Sequence, residues 1–230
     1  MEEIHIVACK TLKPEIDMVM HAQGCDYPIA WIDSGKHVWP DKLRICIQET
    51  IDVIPPAYKT ILLVFGFCGN AMVGIKAGEH QLVLPRAADC IPLFLGSQKK
   101  REEYGVATVF FTEGYLHSET NFITDYENYQ KKYGNKRSLW VLKEMMKHYK
   151  NIAVIDTGAF DPPDVVTEVE PYAKILEIPV SLIPGNLRLI DALLSGNWDN
   201  GEFLVIPSEG VISFEDSLLK EGVSSQAAPV

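Results

Sequence analysis

The chain has 230 residues, 47% of them apolar and 23% charged, a globular composition rather than a disordered one. Lys and Arg total 21 against 31 Asp and Glu, a net charge of −10 that argues against a nucleic-acid surface, which needs a positive footprint. No apolar run approaches the roughly 18–20 residues that span a bilayer, so no membrane partner is expected.

The acidic start, Met1-Glu2-Glu3, leads straight into a strand-like run and does not read as a signal peptide. Ile4 to Cys9 reads as a buried strand ending at a thiol. Pro14 is placed to open a helix and Gly24 to close it. Pro28 to Ile32 is a second strand. Pro40-Asp41 starts a helix in which Leu43, Ile47, Ile51 and Ile54 follow helical spacing until Pro55. Thr60 to Phe65 is the clearest strand, hydrophobic on both faces as in the middle of a parallel sheet. Gln81 to Pro85 is another, followed by Arg86-Ala87-Ala88-Asp89-Cys90 and a short apolar helix. Ala107 to Thr112 is a strand, with a turn at Glu113-Gly114-Tyr115. Residues 119–134 and 136–150 read as two helices parted at Gly134-Asn135. Asn151 to Asp156 is a strand, and Asp161-Pro162-Pro163-Asp164 caps the next helix. Val180 to Ile183, a helix from about Leu187, and Phe203 to Ile206 complete the alternation.

This alternation predicts an α/β protein with mainly parallel, Rossmann-like sheets flanked by helices. Residues 1–216 form one domain, with two similar lobes at 1–118 and 151–216 joined by helices 119–150, and 217–230 form a loose tail. Residues 1–150 hold 18 basic and 18 acidic side chains, whereas residues 151–230 hold 3 and 13.

Five cysteines, an odd number, do not make a secreted disulfide framework, and a cytoplasmic location is expected. Cys9, Cys68 and Cys90 each end or closely follow a predicted strand. Loops at the carboxyl ends of parallel strands gather on one edge of a sheet, where ligands bind. Three thiolates there suit zinc or an iron–sulfur cluster and leave a fourth position for a side chain, water or substrate. Against this, buried cysteine packs readily as a small hydrophobe, and no CxxC pair is present. Cys25 and Cys46 fit that plainer reading.

Cys68 lies between Gly66 and Gly69, which permit a tight turn and a close backbone approach; with Asn70 they form the candidate cofactor cradle. A helix starting near Asn70 would lower the thiol pKa. The segment lacks both the P-loop and the dinucleotide glycine pattern. Arg86 and Asp89, beside Cys90, are candidates for orienting an anionic substrate and a ligand, or they pair with each other. His117 is the best-placed histidine for a fourth ligand or a proton carrier; His5, His21, His37, His80 and His148 have no motif around them. Asp156-Thr157-Gly158 follows a strand and is read as a turn at the ligand edge, with Asp156 toward the cleft of Cys9, rather than as an aspartic-protease triplet. Lys131, Lys132, Lys136, Arg137, Lys143, Lys147 and Lys150 face only Glu144, which reads first as the solvated side of an amphipathic helix.

At Phe65-Gly66-Phe67-Cys68-Gly69-Asn70, Leu84 to Ile91 and Phe94-Leu95-Gly96-Ser97, the sequence resembles an uncharacterised domain family of anaerobic archaea and bacteria. The resemblance extends to Ile4 to Cys9, Thr112 to Tyr115, Val154 to Gly158 and Gly196 to Asp199. Ala71 stands where the family has glycine, and Glu113-Gly114-Tyr115 replaces a proline-glycine-aromatic turn. Genes of this family neighbour corrinoid-dependent methyltransferases, so the resemblance implies anaerobic one-carbon metabolism without supplying a reaction. Three readings follow. One is a metal-binding enzyme or transfer protein acting on a small molecule or a corrinoid protein. Another is a non-catalytic, redox-sensing accessory of a corrinoid methyltransferase. The third is a lone Cys68 nucleophile with His117 as base. A homo-oligomer stays open.

Overall fold

The computed structural model describes residues 3–36, 39–199 and 201–217. His37 and residues 218–230, which include nearly all of the expected tail, lie outside the described residues. The protein is α/β, with a five-stranded sheet whose strands lie in the order Ile29–Ile32, Ile4–Cys9, Thr60–Val64, Gln81–Pro85, Phe203–Ile206, and a three-stranded sheet in the order Thr108–Phe111, Asn151–Asp156, Val180–Pro184.

In the larger sheet, β1 (Ile4–Cys9), β2 (Ile29–Ile32), β3 (Thr60–Val64) and β4 (Gln81–Pro85) run parallel. β8 (Phe203–Ile206) returns antiparallel to β4, with Leu82 opposite Ile206. All five residues of β3 are buried, as a central strand covered on both faces requires. The helix α1 (Lys13–Gln23) ends at Gly24, whose φ of 65° supplies the left-handed cap. In α2 (Pro40–Asp52) the spacing of Leu43, Ile47 and Ile51 puts all three on the buried face.

The smaller sheet joins β5 (Thr108–Phe111), β6 (Asn151–Asp156) and β7 (Val180–Pro184), all parallel. β5 precedes residue 118 yet belongs to this sheet, and β8 follows residue 151 yet belongs to the larger one. The sheets therefore interleave along the chain rather than dividing it in two.

Strand alternation gives β6 two apolar faces. Ile152 and Val154 pack with the helices α6 (Phe122–Tyr133), α7 (Asn135–Met146) and α8 (Pro162–Leu176). Ala153 and Ile155 instead join the core of the larger sheet, together with α9 (Arg188–Leu194). α6 starts and stops inside its expected range, because Asn121 sets the start: its side chain accepts from the N–H groups of Ile123 and Thr124. α7 begins at Asn135, one residue before its expected range, and stops at Met146, short of the expected end.

The carboxyl ends of the two sheets meet. A side chain on Gly114 would strike the Thr11 carbonyl, the Asn186 N–H donates to the Phe94 carbonyl at 2.7 Å, and Thr157 bonds Glu15 at 2.9 Å. No helix among the described residues is long and apolar enough to cross a membrane.

Candidate thiol site

The loops after β3 and β4 are zipped together by their backbones. The Phe67 and Cys68 N–H groups donate to the carbonyls of Ala87 and Ala88 at 2.8 and 2.9 Å. Gly66 lies directly against the Asp89 backbone, where any Cβ would sit 2.2 Å from the carbonyl oxygen. This register brings Cys68 Sγ to 3.9 Å from Cys90 Sγ, with both residues partly exposed. No disulfide joins any of the five cysteines.

Cys68, Gly69 and Asn70 all have positive φ, at 45°, 67° and 68°. Two of these are non-glycine residues in a sparsely populated region, so the turn holds backbone strain beside a thiol. The expected helix start near Asn70 is not formed: residues 68–74 make successive turns, because three left-handed residues in a row cannot begin a right-handed helix. α2 packs over this turn, with Arg44 Nη2 donating to the Asn70 carbonyl at 3.5 Å.

Asp89 and Arg86 do not pair. Asp89 Oδ1 accepts from the Ile91 N–H at 2.9 Å, at the start of the short helix α3 (Ile91–Leu95), and Oδ2 accepts from Arg101 Nε at 3.4 Å. Arg86 is tied to the returning end of the chain, its N–H donating to the Glu202 carbonyl and its guanidinium to the Asp216 carbonyl.

Cys9, at the end of β1, is buried, and its Sγ lies 3.1 Å from Thr11 Oγ1. Among the described residues, no group of three His, Cys, Asp or Glu side chains is arranged to hold a metal ion. His117 is exposed at the end of α5 (Glu113–Leu116), where its N–H donates to the Glu113 carbonyl. Asp156 is exposed at the end of β6, and its Oδ1 accepts from the Gly158 N–H. The structure thus brings together Gly66, Cys68, Gly69, Asn70, Asp89 and Cys90, and places Asp156 at the carboxyl end of β6 and His117 after β5, on the loops of the smaller sheet.

Two residues at these strand ends escaped the sequence reading. Arg101, 8% exposed, pins Asp89 from α4 (Gln98–Glu103), donates to the Gly105 carbonyl and lies over the Phe110 ring. Its run, Lys99-Lys100-Arg101-Glu102-Glu103, looks like a solvated helix face and carries no signal. Glu15 is fully buried, with Oε2 lacking a hydrogen-bond partner among the described residues. Burial pushes its carboxyl up to about 7, partly offset by the bond from Thr157. Its place between Leu12 and Val19, on the apolar side of α1, is the signal that could have found it.

A family model described as "Protein of unknown function (DUF1638)" matches residues 31–194, which takes in Cys68 and Cys90 but not Cys9. No curated protein and no solved structure matches the chain.

Proposed function

We propose, from the premise that the chain belongs to the DUF1638 family of proteins of unknown function, that it binds a metal on Cys68 and Cys90 with Cys9 as third thiolate. The observation that carries this reading is the 3.9 Å between the Cys68 and Cys90 sulfurs. Two thiolates, each about 2.3 Å from a tetrahedral zinc ion, stand about 3.8 Å apart. The donors are soft, partly exposed and held by two backbone-paired loops, which fits zinc or an iron–sulfur cluster. Cys9, which ends β1 beside β3, is the third thiolate of this proposal, and its thiol would have to leave Thr11 to serve.

A metal with an open position supplies Lewis-acid activation of a substrate thiol or, as a cluster, an open iron. The chain's own residues shape that position. The left-handed turn at residues 68–70 directs the Cys68 thiol, and Arg101 keeps Asp89 oriented at the start of α3. The setting we propose is cytoplasmic one-carbon metabolism, with a small molecule or a corrinoid methyltransferase protein as partner. Its support is the motif resemblance around Cys68 and Cys90.

The test is metal content and visible absorption of protein purified without oxygen. Bound zinc, or iron with absorption near about 400 nm, supports the reading, and Cys68→Ser or Cys90→Ser removes it. Folded protein that takes up neither metal sinks it.

A second reading is a redox-sensing accessory, favoured by the same pair. Closing 3.9 Å to a bond of about 2.05 Å needs only modest loop movement. The two thiols then lose two protons and two electrons to an external disulfide. Glutathione disulfide added to metal-free protein should form an internal Cys68–Cys90 bond. Mixed disulfides alone would count against this reading.

A further inference from the structure

The outer face of the smaller sheet is covered by α6, α7 and α8 in one layer. α6 lies between the other two. It packs along α7, and it meets α8 through the Tyr126–Tyr172 ring pair and the Tyr172 hydroxyl, which donates to Glu127. The layer is electrically split.

On α7 the buried positions Ser138, Leu142 and Met146 turn inward, so Lys136, Arg137, Trp140, Lys143 and Lys147 face solvent. Trp140 is 66% exposed, an unusual setting for so large an apolar side chain. Arg137 is held over the Tyr133 ring at 5.2 Å. Lys136, Arg137 and Lys143 form no ion pair with a described residue; Lys147 pairs with Glu144.

On α8 the buried stripe is Val165, Val169 and Ala173, which leaves Asp164, Thr167, Glu168 and Glu170 outside. Glu170 pairs with Lys174 at 3.0 Å, whereas Asp164 and Glu168 pair with no described cation. Asp161, at the N-cap, adds a further exposed carboxylate.

A basic, aromatic helix and an acidic helix thus lie either side of α6 in one layer. A two-fold axis lying in the plane between two such layers, parallel to α6, sets the basic half of one copy against the acidic half of the other. That is the self-complementarity an isologous interface requires. We propose that this layer is the interface of a symmetric homodimer, with α7 of each protomer lying against α8 of its partner.

The dimensions suit it. Helices of 12, 12 and 15 residues, spaced about 9 Å and rising about 1.5 Å per residue, present about 500 Å² per protomer, so the pair reaches the roughly 1,000 Å² expected of a specific interface. Trp140 and Arg137 are residue types that dominate binding energy at such surfaces, and the unpaired charges set the orientation. This inference does not depend on the thiol site.

Sedimentation equilibrium of the full chain tests it. The wild type should show a mass near twice 25.7 kDa at low salt and lose it as salt rises. A basic-to-acidic variant, Lys136→Glu with Arg137→Glu and Lys143→Glu, should be a folded monomer. So should the opposite variant, Asp164→Lys with Glu168→Lys. Each carries two like-charged helices, so mixing the two variants should restore the dimer mass as a heterodimer. A wild type that stays monomeric at low salt overturns the proposal. So does a charge-reversed variant that dimerises like the wild type, or a mixture of folded variants that stays monomeric.

Discussion

Gly66 lies so close to Asp89 that the two backbones exclude a side chain: a Cβ on Gly66 would stand 2.2 Å from the Asp89 carbonyl oxygen and 2.6 Å from its Cα. The obstacle is main chain on both sides, so it cannot rotate away. Gly66→Ala should therefore push the two cysteine loops apart. We expect a loss of about 2 kcal/mol or more in urea unfolding, and slower formation of a Cys68–Cys90 crosslink with mild oxidant. An unchanged crosslinking rate would show that the loops are not held by this contact.

Arg101 is a second fastening of the same loop, reached from the opposite direction. Its guanidinium serves the Asp89 carboxylate, the Gly105 carbonyl and the Phe110 ring together. Lysine has neither the planar fork nor the reach to replace all three. Arg101→Lys should cost about 2 kcal/mol, because it leaves a partly buried carbonyl and a partly exposed carboxylate poorly served. Asp89→Asn, which keeps the acceptor for the Ile91 N–H, should cost less. Thermal unfolding of the two variants side by side checks the order.

Glu15 makes stability depend on pH near neutrality. Its carboxyl is raised from 4.5 to about 7, chiefly by burial, with Glu113 adding like charge. The folded state holds this proton where the unfolded chain has released it, so the native fold is favoured at low pH. That advantage erodes as pH rises from about 4.5 and is gone above about 7, a swing of at most about 3 kcal/mol. Glu15→Gln, neutral at every pH, should flatten this part of the profile. Urea midpoints between pH 5 and pH 8, about the window of this shift, give the comparison; parallel curves for both proteins would exclude the assignment.

Gly114 should be as intolerant as Gly66. A Cβ there would come within 2.1 Å of the Thr11 carbonyl, which follows the Cys9 strand. Gly114→Ala should destabilise by about 2 kcal/mol and raise the reactivity of Cys9, buried in the wild type, toward a thiol reagent. Mass spectrometry of labelled peptides separates Cys9 from the other four thiols.

The strands were legible where burial writes itself as an apolar run. Ile4 to Cys9, Thr60 to Val64 and Asn151 to Asp156 stand out because both faces of each are covered. Partners were less legible, since no pattern inside Phe203–Ile206 says that it pairs with β4, nor in Thr108–Phe111 that it pairs with β6. The approach of Cys68 to Cys90 followed from two adjacent parallel strands ending in cysteine loops. The direction of the Cys9 thiol did not, because a side chain's rotamer and its Thr11 partner leave no mark on spacing. α5 went unread for a related reason: four residues are too few for periodicity, and its start depends on a single cap in which the Thr112 hydroxyl accepts from the Tyr115 N–H.

The antiparallel return of β8 onto β4 also sets a timetable for synthesis. The edge of β4 carries the cysteine loop of Cys90, and its neighbour is contributed by residues 203–206, more than a hundred positions later. While the ribosome is still making the intervening helices, that edge presents unsatisfied main-chain groups. A chain stalled or cut before residue 203 should consequently be captured by chaperones or aggregate, even though every thiol has already been made.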